Sequence, residues 1–139
     1  MFDVFNLLVN CPIVEIRGRG IGVEPGTRDN ALASLVYEDG SVCNLIYTPF
    51  GGKGFPKETV HVLWDGGSAI LNDFRALGLF AKAETWRRSR TEQKGRREIW
   101  QAFSRYLQGQ SEAPVSLEDM VSATETSFRV AESLFGVNS

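Results

Sequence analysis

With 139 residues, 42% apolar and 23% charged side chains, the chain has the size and make-up of one folded domain around one core. That length suffices to bury roughly two thirds of the unfolded surface. Fifteen Lys and Arg against 17 Asp and Glu leave a formal charge of −2, which gives no overall attraction to a polyanion or an anionic membrane and argues against nucleic acid as a partner.

The longest apolar run near the N-terminus, Val4 to Val9, is interrupted by Asn6. It is too short for a spanning helix or a signal-peptide core, so a cytoplasmic protein without a membrane partner is expected. Cys11 and Cys43 have no CxxC partner or neighbouring His, so neither a zinc site nor a redox motif is available, and two buried, reduced thiols are expected.

Phe2, Phe5, Leu8 and Val9 recur at helical spacing with no capping residue ahead of them, as if the chain were cut from a longer one. After Cys11-Pro12, Ile13 to Arg17 alternates as a strand does, and Gly18 to Arg28 reads as a mobile loop. Asn30 to Tyr37 and Ser41 to Thr48 are strand-like runs joined by Glu38-Asp39-Gly40, a strong hairpin signal because Asp-Gly accepts positive φ. Pro49 to Pro56 is a Gly- and Pro-rich loop; Glu58 to Trp64 and Ser68 to Asn72 form a second hairpin about Asp65-Gly66-Gly67. Arg75 to Phe80 can add one more short strand before the polar segment from Lys82 to Glu92 breaks the pattern.

Two helices close the chain. Ile99, Trp100, Phe103, Tyr106 and Leu107 form one apolar stripe between about Gln93 and Gln108, with Gly109 as the stop. Ser116 with Asp119 resembles a capping box ahead of a second helix that Gly136 ends. The sum is an α+β fold: an open, mostly antiparallel sheet of about five or six strands with helices on one face. Neither face of the runs 41–48 and 58–64 is plainly polar, so the uncovered face is expected to meet another protein surface, with scattered exposed apolar residues as the plain alternative.

Motifs for chemistry are sparse. Gly18-Arg19-Gly20-Ile21-Gly22 lacks the G-x-G-x-x-G spacing and the following helix of a dinucleotide site, so no cofactor-binding residue is assigned. Gly51-Gly52-Lys53-Gly54 is no P-loop; it reads either as a substrate-edge loop carrying Lys53 and Lys57 or as an ordinary connection. His61, the only histidine, has no local relay partner and reads as structural or interfacial. The seven basic residues between Lys82 and Arg97 read as a solvated run leading into a helix. No catalytic and no metal-ligating residue is assigned.

In order and spacing, several blocks resemble the C-terminal domain of the Gfo/Idh/MocA family of glucose-fructose oxidoreductases and inositol dehydrogenases. They are Phe2 to Leu8, Asp29-Asn30 leading to Tyr37 to Val42, Tyr47-Thr48 with Phe55 to Glu58, Asp65 to Ala69, Lys94 to Glu98, and Thr124 to Phe128 with Glu132 to Leu134. The resemblance spans nearly the whole chain as a single domain, 1–139.

It implies the substrate-binding and oligomerisation part of an NAD(P)-dependent sugar or polyol oxidoreductase, inactive alone. NAD(P) would sit on an N-terminal Rossmann domain outside this chain, no cofactor would bind here, and copies would pair, as a dimer or higher oligomer, through the open sheet. Asp3, Asn6, Lys53, Phe55 and Lys57 are the implied substrate-binding residues. The family's catalytic His would fall just before Met1, Arg96 stands where the Lys-Gly block commonly continues with His, and Asp3 either orients the absent His or caps the helix. A stand-alone binding or scaffold module with the same fold is the alternative.

Overall fold

The structure, a computed structural model, describes residues 1–21 and 30–135. Helix α1 (Phe2–Val9) leads into strands β1 (Ile13–Ile21), β2 (Asn30–Tyr37), β3 (Val42–Tyr47), β4 (Thr59–Trp64), β5 (Gly67–Asn72), β6 (Ala76–Phe80) and β7 (Glu84–Arg88). Helices α2 (Arg96–Leu107) and α3 (Leu117–Phe135) follow. The chain divides into two compact units, one of Met1–Phe50 with Val115–Ser139 and one of Gly51–Pro114.

The first unit is a three-stranded antiparallel sheet, β1-β2-β3, with α1 and α3 on one face. Alternation along β2 turns Ala33, Leu35 and Tyr37 inward, where they form the buried core with Phe5 of α1 and Val130 of α3. Each large apolar side chain buried there stabilises the fold by about 1.5–3 kcal/mol. Gly18 lets α3 approach β1: its N–H donates to Ser133 Oγ at 2.7 Å, and a Cβ there would lie 3.0 Å from the Leu134 side chain. The opposite face carries Leu32, Val36, Val42 and Ile46, with the pairs Leu32↔Ile46 and Val36↔Val42 side by side; Leu32, Val42 and Ile46 are exposed.

Local chemistry sets the turns. Gly40 takes φ +84 in the β2–β3 hairpin, while the Asp39 carboxylate accepts bonds from the Ser41 N–H and hydroxyl. Ser116 caps α3 by accepting the Asp119 N–H at 3.0 Å, and its hydroxyl donates to the Asp119 carboxylate. Helix α2 ends in a Schellman motif, with Gly109 N–H on the Tyr106 carbonyl and Gln110 N–H on the Arg105 carbonyl.

The second unit is a four-stranded antiparallel sheet, β4-β5-β6-β7. One face carries Val60, Val62, Trp64, Ala69, Leu71, Leu77 and Leu79; the other carries His61, Leu63, Ile70, Phe80 and Trp86. Phe80 and Trp86 meet edge to face at 5.6 Å between ring centres, and the Arg88 guanidinium lies 5.0 Å from the Trp86 ring centre. Helix α2 buries none of its residues.

The α+β class with antiparallel strands holds, and both expected hairpins form. The strands number seven in two ladders of three and four, where one sheet of about five or six was expected. Two segments differ from the reading by sequence. Gly18 to Ile21 is strand, because Ala33, Leu32, Ala31 and Asn30 pair with it residue by residue; the rest of the expected loop and the Gly136 stop lie outside the described residues. The polar stretch after Lys82 contains β7, which pairs with β6 from Ala76↔Arg88 to Phe80↔Glu84 and sets Trp86 against Gly78. The cysteines are free as expected but only half-buried at the core's edge.

Candidate functional site

The sequence-assigned residues fall in both units. Asp3 and Asn6 lie on α1 in the first. The Asp3 carboxylate is exposed and pairs at 2.8 Å with the N-terminal ammonium, whose hydrogen bond holds the acid below its ordinary pKa. Asn6 Nδ2 donates to Ser122 Oγ at 3.1 Å and so ties α1 to α3.

Lys53, Phe55 and Lys57 share one loop of the second unit. Phe55 is 71% exposed, and its N–H closes a tight turn onto the Gly52 carbonyl at 2.9 Å. Neither Lys53 nor Lys57 forms an ion pair among the described residues. An apolar ring beside two free ammonium groups is suited to a ligand that carries both an apolar surface and negative charge or hydroxyl acceptors.

The anchor of this loop is a polar clasp. Asp73 Oδ1 accepts the N–H groups of Lys57 at 2.7 Å and Glu58 at 3.1 Å, and Asp73 N–H returns to the Glu58 carbonyl at 2.7 Å. Asp73 and the next residue, Phe74, both adopt left-handed backbone (φ 49 and 52) in the β5–β6 turn, closed by Arg75 N–H on the Asn72 carbonyl at 2.9 Å. Asp tolerates that region; for Phe it is a true outlier.

Lys94 completes the clasp. It bonds the Glu58 carboxylate, approaches Glu92 at 3.8 Å and lies 5.4 Å from the centre of the Phe74 ring. The hydrogen bond to Glu58 raises the Lys94 pKa. Gln93 N–H reaches the Phe74 carbonyl at 2.8 Å, so the turn also holds the segment that enters α2. Glu92 to Glu98 line a shallow recess of about 360 Å³.

Sequence reasoning did not mark Asp73 or Glu58. The only local sign was Asn72-Asp73 between two strands, since Asn and Asp are the side chains that accept left-handed backbone most readily. Asp73 makes its decisive bonds 15 and 16 positions away, a separation no window of local pattern covers.

Elsewhere, the Tyr37 hydroxyl is buried without a hydrogen-bond partner of acceptable geometry among the described residues, with the Cys43 thiol as its polar neighbour. Burial, helped by that thiol, pushes the phenol up to about 12, and burial likewise raises the Cys43 thiol. Gly18 and Gly20 pair with Ala33 and Ala31 inside β1 and so do not open a helix. His61 is exposed in mid-strand opposite Ile70. No group of three His, Cys, Asp or Glu side chains among the described residues is placed to hold a metal ion, and no helix among them is long and apolar enough to cross a membrane.

No protein-family model and no curated protein matches the chain. Solved structures do. UDP-N-acetylglucosamine 3-dehydrogenase GnnA from Acidithiobacillus ferrooxidans superposes with a TM-score of 0.83 over 97% of this chain and 44% of its own, at 13% identity. The fold is that of the Gfo/Idh/MocA-type oxidoreductases.

The dehydrogenase MviM from Clostridium difficile (TM-score 0.79, 16% identity, 96% of this chain and 45% of its own) has the same Gfo/Idh/MocA-type fold. Biliverdin reductase from Synechocystis, solved with biliverdin and NADP+, is also similar (TM-score 0.73, 17% identity, 96% and 43%). The chain spans less than half the length of these proteins.

Proposed function

We propose that the chain is the substrate-binding and oligomerisation domain of an NAD(P)-dependent sugar or polyol oxidoreductase and does not turn over substrate alone. The observation that carries this reading is the superposition on nearly all of this chain but only 44% of a sugar-nucleotide dehydrogenase. In such an enzyme the nicotinamide accepts or donates the hydride. A strand-turn-helix phosphate cradle is the usual seat for that cofactor, and Gly18 and Gly20 do not build one, since they pair in mid-strand. The reading therefore places NAD(P) on a separate Rossmann domain.

The role of this chain is to bind and orient. Lys53 and Lys57 would donate to substrate hydroxyl or phosphate oxygens, Phe55 would cover an apolar ring face, and Asp73 would hold the loop's exit fixed by its two amide bonds. Asp3 and Asn6 are proposed as further substrate contacts from α1. Copies would pair through the face of β1-β2-β3 that bears Leu32, Val36, Val42 and Ile46, an apolar surface backed by no helix. The assembled enzyme is assigned to the cytoplasm.

Calorimetric titration tests the reading. The chain alone should show no heat with NAD+, NADH, NADP+ or NADPH, and the coding frame upstream of Met1, or a neighbouring frame, should encode a nucleotide-binding domain. Micromolar cofactor affinity in the isolated chain would overturn the division of labour. Absence of any such frame would instead favour a binding or scaffold module that has kept the fold without the chemistry.

A further inference from the structure

The apolar stripe of α2 is bare. Ile99, Trp100, Phe103, Tyr106 and Leu107 are all exposed, between 40% and 71%, and no residue of the helix is buried. Five large apolar side chains on one stripe of a twelve-residue helix are far more than solvent contact explains.

Their spacing points to the occupant. The five positions are symmetric about Phe103: Trp100 and Tyr106 lie three residues to either side, Ile99 and Leu107 four. A two-fold contact needs a patch complementary to itself, and a stripe with this symmetry meets its own copy in antiparallel register: Phe103 on Phe103, Trp100 on Tyr106, Ile99 on Leu107.

The charges agree. Arg96 and Arg97 occupy the first turn of α2, the positive end of the helix dipole, and the N-cap Gly95 makes no side-chain capping bond. Alone, that end repels its own arginines. In an antiparallel pair both arginines lie beside the partner's residues 108–112, where the helix's carbonyl end and Glu112 supply negative charge.

We infer that α2 is a self-association helix that pairs antiparallel with the α2 of a second copy about a two-fold axis at Phe103. The contact is small, roughly 18 Å by 10 Å from helix dimensions, against the ~800 Å² per partner of a self-sufficient interface. It therefore adds to another contact, joining sheet-paired dimers into a larger assembly, and in that respect it rests on the oligomeric reading above.

Disulfide trapping tests the register in the whole chain with both native thiols removed (Cys11→Ala, Cys43→Ala) and the fold checked by circular dichroism. Phe103→Cys should form a covalent dimer on mild oxidation. Ile99→Cys alone should not, whereas Ile99→Cys with Leu107→Cys in one chain should. Sedimentation of Phe103→Glu should show a fall from about four copies to about two.

Self-linking by Ile99→Cys in preference to Phe103→Cys would overturn the antiparallel register. Absence of any covalent dimer would overturn the pairing and leave the stripe to a cofactor-binding domain. Ile46→Arg separates the two readings: if it leaves the mass unchanged while Phe103→Cys still cross-links, pairing through the sheet fails and pairing through α2 stands.

Discussion

Gly18 and Ser133 meet across the core of the first unit: the glycine N–H donates to the serine Oγ at 2.7 Å, so strand β1 and helix α3 approach with no side chain between them. A Cβ at Gly18 would lie 3.0 Å from Leu134 Cγ and 3.1 Å from its backbone nitrogen, and the latter cannot swing aside. Gly18→Ala is expected to cost about 1–3 kcal/mol by forcing β1 and α3 apart. Ser133→Ala should cost about 1 kcal/mol, through the unpaired amide. Urea unfolding of both variants checks the order; an alanine at 18 without effect would mean that α3 is not seated as described.

Tyr37 shows the opposite kind of contact. Its hydroxyl is buried with no hydrogen-bond partner among the described residues, so Tyr37→Phe should leave stability unchanged or raise it by about 1 kcal/mol, unlike most changes to a buried side chain.

The same hydroxyl sets an alkaline limit. Its pKa rises from 10.0 to about 12 in the fold, so between those values the folded chain keeps a proton that the unfolded chain has lost. Stability linked to Tyr37 is then complete below pH 10 and falls as pH rises toward 12. The raised Cys43 thiol acts in the same direction. Chemical denaturation across that range should show a shallower fall in Tyr37→Phe than in the parent chain; equal slopes would place the loss elsewhere.

Asp73 separates two effects. Asp73→Gly keeps the left-handed backbone but loses both amide acceptors, and Asp73→Ala loses the acceptors and meets the steric cost of φ 49 as well. Alanine should cost about 1 kcal/mol more than glycine. Hydrogen exchange at the Lys57 and Glu58 amides should quicken in both. Protection retained in either variant would show that the clasp does not hold the loop.

Ile46 is 74% exposed on the open face of β3, so Ile46→Arg should barely alter the melting temperature. If the open sheet is the pairing surface, the same change should weaken self-association at least tenfold in sedimentation runs, by burying an unpaired charge. A monomeric parent chain would remove the basis for this prediction.

Chemistry that closes within a few residues was plain in the sequence by itself. Asp39-Gly40 made its hairpin, Ser116 with Asp119 capped α3, and the symmetric stripe of α2 could be read off the chain, because a positive φ, a three-residue hydrogen bond and a helical repeat are properties of short segments. Strand order and the anchoring of the site were left to tertiary structure. Gly18 to Ile21 is strand because β2 pairs with it, β7 exists because Gly78 makes room for Trp86, and the loop of Lys53, Phe55 and Lys57 is held by Asp73 from the far side of a hairpin. Each of those outcomes depends on a partner brought close only by chain folding, and a residue's own preferences carry no record of who that partner is.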